Sequence, residues 1–153
     1  MIAEIDDLIY QAEAAYLVPT DLGIFKTRVL YLEQRLKIYE QLRELETEVF
    51  QYAANYLSDV FVDESPANIK LALKHWLIIM RYCGMAMLSN DSQYLEQRIL
   101  NWLPEQIAAY EIQELERNLY SCLRKRFKKL LGGESFSILE PYLEQCQRVL
   151  QTS

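Results

Sequence analysis

The chain has 153 residues, of which 51% are hydrophobic and 25% are charged. This balance excludes an intrinsically disordered protein and allows one domain to bury a core. The formal net charge of −6 argues against a general nucleic-acid-binding protein, because such a protein needs cations to displace counterions from phosphates. Only 4 Gly and 4 Pro interrupt a composition rich in Leu, Glu, Gln, Arg, Lys and Ala, which favours helices over sheets. We predict a single all-α domain spanning residues 1–153.

Neither the N-terminal segment nor the cysteines indicate export, membrane anchoring or a metal site. The segment Met1–Asp7 is acidic and lacks a signal-peptide pattern. The sequence has no stretch of about 18 uncharged apolar residues that would span a bilayer. Cys83, Cys122 and Cys146 are scattered, and the chain has a single histidine. We therefore expect a cytoplasmic protein with reduced, buried cysteines, no membrane span and no metal site.

The first helix is predicted over residues 2–16, where apolar residues recur on one side. The segment Pro19–Asp21 ends this helix, and either Thr20 or Asp21 is expected to cap the next one. Helical spacing of apolar residues then continues over residues 22–62. Forty residues are long for one globular helix, so a bend or break is expected near residues 40–47. A coiled coil is the alternative, although the spacing does not keep a strict heptad.

The most informative segment is the predicted helix over residues 66–88. The stretch Asp63–Pro66 is a stop and restart signal, with Ser65 as the cap and Pro66 in the first turn. The helix that follows is apolar nearly all round, so we predict that it is buried from several directions at the centre of the fold. Its polar exceptions are a basic stripe and one histidine at the edge of the apolar side: Lys70, Lys74, Arg81 and His75.

The C-terminal part of the chain is predicted to form three further helical segments. Residues 94–110 are helical in pattern apart from Pro104, and residues 111–131 form a helix closed by Gly132 and Gly133. Residues 136–150 form the last helix. The whole chain is therefore expected to contain seven or eight helices joined by short connections.

Two stretches of the sequence resemble the phycobiliprotein superfamily, the globin-like pigment proteins of cyanobacterial phycobilisomes. Residues 13–22 read EAAYLVPTDL and resemble the family pattern EARYLSPxEL. Residues 80–91 read MRYCGMAMLSND and lead to LEQRILN at 95–101, which resembles LRYxTYAxLAGD followed by LDERVLN. The resemblance implies an all-α, globin-like core of about six helices. It also implies an N-terminal helical hairpin of about residues 1–20, which this family uses for subunit pairing.

The register of the second stretch shows a departure from the pigment-carrying members of this family. Those members have CxRD beginning nine residues before the matched arginine, where this chain reads ALKH. The resemblance implies that the cysteine that binds the bilin is replaced by Ala72. It also implies that the arginine that pairs with bilin propionates is replaced by Lys74, which lacks the bidentate guanidinium. The aspartate that binds the pyrrole nitrogens is replaced by His75. Two tyrosines that line the family's pocket are replaced by Ile78 and Ile79. We expect no covalent bilin, as in the divergent bilin-biosynthesis-associated globins.

Two sets of candidate site residues follow from this resemblance. A noncovalent bilin or porphyrin, if one binds, is expected to contact a pocket that contains Ala72, Lys74, His75, Trp76, Ile79, Arg81, Tyr82 and Trp102. The basic residues also fit a solvated stripe, and the tryptophans also fit a core. The candidate subunit-interface residues are Ile5, Ile9, Tyr16, Leu17 and Leu22.

The leading functional hypothesis is a non-enzymatic protein, because no nucleophile–base pair, phosphate loop or carboxylate dyad stands out. It is expected to act through protein contacts in the phycobilisome or in bilin and tetrapyrrole metabolism. It would do so as a homodimer or in a phycobiliprotein-like hetero-association with a protein of that pathway.

Two alternative functions also fit the sequence. The first is a globin that senses haem or a small apolar ligand and signals to a partner. His75 would be the axial ligand, although residues 89–153 contain no histidine for the usual proximal position. The second is a local site for nucleic acid or an acidic partner in the basic segment 117–129. Positive charge near a helix C-terminus is also typical of a solvated face.

Overall fold

The computed structural model describes residues 3–151, so Ile2 of the predicted first helix lies outside the described residues. Between residues 3 and 151 the chain is all-helical, with seven α-helices, one π-helical turn and no strand, as the sequence predicts. The elements are α1 (Ala3–Ala14), α2 (Pro19–Val60), α3 (Pro66–Ser89), α4 (Gln93–Leu95), the π-helical turn Glu96–Leu100, α5 (Leu103–Ala108), α6 (Gln113–Leu131) and α7 (Gly133–Gln151).

Helix α2 is a single helix of 42 residues, so the break expected near residues 40–47 is wrong. That stretch contains only good or moderate helix formers and neither Gly nor Pro. Helix α2 also packs against both α3 and α6, which stabilises its full length. The predicted caps are wrong as well, because the helix starts at Pro19 with Val18 at the cap position, and Thr20 and Asp21 lie inside the first turn.

The start of α3 agrees with the sequence prediction. The Ser65 hydroxyl accepts a hydrogen bond of 3.1 Å from the backbone N–H of Asn68, and Pro66 lies in the first turn. The helix ends at Ser89, one residue later than predicted. The next residue, Asn90, bonds through its N–H to the carbonyls of Ala86 and Met87, and its left-handed backbone (φ 53°) lets the N–H of Asp91 bond to Ala86 at 2.9 Å.

Helix α3 is the central helix of the fold, as predicted. It packs against α2, α6 and α7, and its buried side chains form much of the core. The Trp76 ring lies 5.2 Å from the ring of Tyr120 on α6. By length and hydropathy α3 also passes as a candidate membrane span, a feature that the sequence interpretation missed. However, 50% of its most apolar window is buried inside the protein, as expected for a core helix.

The predicted helix over residues 94–110 is instead divided into α4, the π-helical turn and α5. A turn at Asn101 and Trp102 separates the last two pieces. Pro104 does not interrupt a helix, because it occupies the first turn of α5, where its missing N–H removes no hydrogen bond. Gly132 (φ 87°) separates α6 from α7, which begins at Gly133, three residues earlier than predicted.

Helix α1 folds back onto its own chain through a buried ion pair. The Arg35 guanidinium, only 1% exposed, pairs with the Glu4 carboxylate. Arg28 donates a hydrogen bond of 2.5 Å to the backbone carbonyl of Glu4. Asn90 donates a hydrogen bond of 3.3 Å to the carboxylate of Glu4. Leu8 is the buried residue of α1. These contacts join α1 to α2 and to the end of α3.

Candidate functional site

Three of the predicted pocket residues lie inside the hydrophobic core. Ala72, Trp76 and Ile79 are fully buried on α3 and belong to the same core cluster as residues of α2, α6 and α7. Their spacing of three and four residues puts them on one inward face of the helix. Their observed contribution is to core packing.

His75 is also buried, and it pairs with a carboxylate that the sequence interpretation did not identify. Its Nδ1 lies 2.7 Å from Oε1 of Glu116 on α6, and both side chains are 7% exposed. Burial raises the pKa of Glu116, and the neighbouring His75 and Trp76 partly oppose this rise. The ring of Tyr110 lies 6.2 Å from the imidazole. Glu116 has no local signal in the sequence, because its partner is far away along the chain.

The basic stripe of α3 lies at the surface. Lys70, Lys74 and Arg81 are all exposed. Arg81 donates to both carboxylate oxygens of Glu46 on α2, at 2.8 and 3.0 Å. This bidentate contact with Glu46 raises the pKa of the Arg81 guanidinium. One cation of the stripe is therefore already occupied by a carboxylate of the same chain.

The last two pocket candidates lie in other surroundings. Tyr82 is half-buried, and its ring lies 5.9 Å from the ring of Tyr94. Trp102 is exposed in the turn before α5, and its indole N–H donates a hydrogen bond of 2.7 Å to the carbonyl of Arg98. The structure thus divides the eight candidates among the core, the surface of α3 and a separate turn.

A cleft of about 270 Å³ lies between α2 and α3. Its volume is slightly below the usual range of small-molecule pockets, about 300–1,000 Å³. Arg81 is a predicted pocket residue that lines this cleft. The sequence interpretation missed its other lining residues, which lie at helical spacing on α2 and on the adjacent turns of α3: Tyr39, Leu42, Arg43, Glu46, Met80 and Gly84.

Ala72, His75 and Ile79, which the family resemblance puts at the pigment position, are all buried on α3. Position 72 has no thiol, and its methyl group is buried in the core. The side chain of His75 turns inward to Glu116. The bulky apolar residue Ile79 is fully buried beside them. Among residues 3–151, no group of His, Cys, Asp and Glu side chains is arranged to hold a metal ion.

The predicted interface residues lie on or next to the N-terminal hairpin, and most are exposed. Tyr16 is 100% exposed, Ile9 and Leu22 are exposed, and Ile5 and Leu17 are half-buried. They are part of a larger set of exposed large apolar side chains on α1, on its connection to α2 and on the first half of α2. We call this set the hairpin surface: Ile9, Tyr10, Tyr16, Val18, Leu22, Ile24, Val29, Leu30, Tyr31 and Leu36. Exposed apolar side chains that lie together mark protein contacts.

Two comparisons bear on the identity of the chain. The model of the phycobilisome protein family matches residues 8–150, which include all eight pocket candidates. None of the curated proteins compared with the chain matches it. The family match covers all but the ends of the sequence and agrees with the all-helical fold described above. The chain therefore belongs to the phycobilisome protein family.

Proposed function

We propose that this protein is a phycobiliprotein-like, non-enzymatic subunit that carries no covalent bilin and acts through protein contacts made by its hairpin surface. Its partners are a second copy of the chain or a protein of the phycobilisome or of tetrapyrrole metabolism. The observation that carries the proposal is the exposed apolar hairpin surface, combined with a pigment position that holds a buried alanine.

The hairpin surface supports association because its apolar residues are not covered by the rest of the described chain. Helix α1 buries Leu8 against α2 but leaves Ile9 and Tyr10 exposed. In the connection to α2, Tyr16 is completely exposed and Val18 is about half exposed. Burial of apolar area contributes about 25 cal/mol per Å², so a partner that covers these side chains gains much of the free energy of a stable complex.

Charge complementarity favours a reciprocal contact between two copies. Helix α1 has four acidic and no basic residues: Glu4, Asp6, Asp7 and Glu13. Helix α3 has three basic and no acidic residues. The hairpin of each copy can therefore contact α3 of the other across a two-fold axis, which makes the interface self-complementary. Exposed Asp7 and Glu13 of α1 would lie near exposed Lys70 and Lys74.

The association is tested by sedimentation equilibrium of the wild-type chain and a Tyr16→Asp/Leu22→Asp variant. Both residues are exposed in the single chain, so the variant is expected to fold normally, which circular dichroism checks. We expect self-association in the wild type and at least about tenfold weaker association in the variant. The matched control is Val62→Asp, an exposed apolar residue outside the hairpin surface. A wild type that stays monomeric, or equal losses in control and variant, would contradict self-association.

The absence of a covalent pigment is tested by mass spectrometry after co-expression with enzymes for bilin synthesis and attachment. We expect the unmodified mass for the wild type and also for Ala72→Cys, since a thiol at that position is buried in the core. A bilin adduct on residues 66–89 of the wild type would refute the proposal. An adduct on Ala72→Cys alone would show that the pocket persists and that only the thiol was lost.

The same preparations test for a noncovalent ligand. We propose that any linear tetrapyrrole held by the wild type is lost on denaturation, because no thioether forms. Its absorption band would be present in the native protein and absent from the protein after gel filtration in denaturant. A band that stays with the denatured chain contradicts a noncovalent mode.

A further inference from the structure

A second cleft, between α2 and α6, lies apart from the pigment position and from the hairpin surface. Its volume is about 190 Å³. Two tyrosines of α2, Tyr52 and Tyr56, form one wall, and a polar and basic face of α6 forms the other. We call it the α2–α6 cleft. The basic residues of its α6 face are Lys125, Arg126 and Lys129.

Lys129 follows Lys125 by four residues and Arg126 by three, so its side chain is a neighbour of both on the surface of α6. They lie in a chain whose net charge is −6, so their concentration is local and does not reflect composition. The guanidinium of Arg126 is paired with Glu48 at 3.1 Å. Among the described residues, neither Lys125 nor Lys129 forms an ion pair, and both are exposed. Two positive charges are thus free to meet an anion.

Arg126 also gives the cleft a fixed shape. Its guanidinium lies 4.4 Å from the centre of the Tyr52 ring, a cation–π contact that holds the aromatic wall against α6. Its Nε is buried and has no partner among the described residues. A ligand that enters the cleft therefore meets an aromatic wall that is already in place, which lowers the entropic cost of binding.

Two residues that carry hydroxyl groups also line the cleft. Ser121 lies one helical turn before Lys125, and Tyr56 belongs to the same wall as Tyr52. No hydrogen bond joins either group to another residue in the described part of the chain. A doubly charged oxyanion needs several donors of this kind together with flexible ammonium groups.

A solvated helix end does not account for all of these features. The macrodipole favours cations in the last turn of a helix, which applies to Lys129 but not to Lys125 or Arg126, further from the end of α6 at Leu131. A solvated face also needs neither a concave shape nor an aromatic wall. The small volume and the acidic net charge do not suit the backbone of a nucleic acid, which requires many phosphate contacts.

We propose that the α2–α6 cleft binds the phosphate group of a small phosphate monoester, held by Lys125, Lys129 and the hydroxyl of Ser121. The aromatic wall formed by Tyr52 and Tyr56 contacts a planar group attached to that phosphate. The site recognises a dianionic phosphate, and inorganic phosphate and an aromatic monoester are the two sources that its test distinguishes.

The test is isothermal titration calorimetry at low salt with phenyl phosphate and, separately, inorganic phosphate. We expect saturable binding of phenyl phosphate to the wild type. We expect at least about tenfold weaker binding in Lys125→Ala/Lys129→Ala, since the variant loses both charged hydrogen-bond donors to the phosphate. The matched control is Lys70→Ala/Lys74→Ala, an exposed pair with the same spacing on α3, in which binding should change less than about twofold.

The role of the aromatic wall is tested with Tyr56→Ala, whose side chain is exposed in the cleft. We expect this variant to bind phenyl phosphate no more tightly than inorganic phosphate, whereas the wild type prefers phenyl phosphate severalfold. Circular dichroism confirms that each variant is folded.

Three results would overturn the proposal. The first is no saturable binding of either probe by the folded wild type. The second is an equal loss in the two double-lysine variants, which would indicate only a change in net charge. The third is retention of a DNA duplex by Lys125 and Lys129 without saturable binding of phenyl phosphate, which would assign the cleft to a nucleic acid.

Discussion

At the scale of single residues, the contact with Glu116 determines the orientation of His75. The imidazole is oriented toward the protein interior by its 2.7 Å contact with the Glu116 carboxylate. The second oxygen of Glu116 and the indole N–H of Trp76 are both buried and form no hydrogen bond of ordinary length and angle among the described residues, although the indole N–H still favours the charged carboxylate. A buried polar group without a partner costs about 1–3 kcal/mol. The pair is therefore a polar feature inside an apolar core, and the protonation state of Glu116 affects the stability of the fold.

The first prediction concerns the pH dependence of Glu116→Gln. Burial raises the pKa of Glu116 in the folded protein above its ordinary value of 4.5. The contribution of this group to the free energy of unfolding is thus complete below that ordinary value and is lost as the pH rises through the folded-state pKa. The amide that replaces the carboxylate does not titrate but still offers an oxygen to His75. We expect the stability of the variant relative to the wild type to increase as the pH rises above 4.5 and through the folded-state pKa of Glu116.

Urea unfolding at several pH values measures this difference. The control is Glu114→Gln, which removes an exposed carboxylate from the same helix. The difference in stability between this variant and the wild type should change much less with pH. If the stabilities of Glu116→Gln and the wild type run parallel over the whole pH range, the raised pKa of Glu116 is wrong.

At the scale of elements, the N-terminal helix depends on one buried charge pair. Arg35 is almost completely buried in the middle of α2, and the carboxylate of Glu4 is its ion-pair partner. Two other nitrogens of the Arg35 guanidinium are buried without partners among the described residues. A buried arginine that loses its carboxylate becomes an uncompensated charge. The position of α1, and hence the geometry of the hairpin surface, depends on this contact.

The second prediction is that Glu4→Ala loosens α1 from the rest of the molecule. Breaking a largely buried ion pair costs several kcal/mol, so opening of α1 should become at least about tenfold more frequent. Hydrogen exchange of the backbone amides of Ala3–Ala14 measures it, with amides of α3 as an internal reference. Glu13→Ala, at an exposed site on the same helix, should exchange like the wild type. Unchanged protection of α1 in Glu4→Ala would show that the ion pair does not anchor it.

At the scale of the whole molecule, two basic areas have separate roles in the functions that we propose. The stripe on α3 faces an acidic hairpin from a second copy, and the α2–α6 cleft receives a phosphate group. Both areas contain exposed lysines four residues apart on a helix. Because they lie on different helices and do not share partners, changes in one should not affect the other.

The third prediction is that Lys70→Glu/Lys74→Glu weakens self-association by about fivefold to tenfold, because reversed charges on α3 repel the acidic α1 of a partner. The same charge reversal at Lys125 and Lys129 serves as the control and should leave self-association unchanged. Sedimentation equilibrium at low and high salt measures both, and the difference should shrink as salt screens the charges. Equal effects of the two variants would show that only net charge matters.

The sequence by itself determined the features that depend on neighbouring residues. Ser65 and Pro66 specify the start of α3, because a side-chain cap and a fixed φ act within one helical turn. The apolar pattern of residues 66–89 identifies the central helix, since a helix that is apolar on all sides has to be buried. The family resemblance also follows from local order in the chain, and the match over residues 8–150 confirms it.

Only the tertiary structure decided which distant side chains meet. Residues 40–47 are locally compatible with a helix, but the full length of α2 also depends on its packing against α3 and α6, which no local rule contains. The inward orientation of His75 depends on Glu116, and the α2–α6 cleft depends on tyrosines and lysines from separate helices. Packing brings these residues together through the burial of apolar surface, which is a property of the whole chain and leaves no periodic signal at any single position.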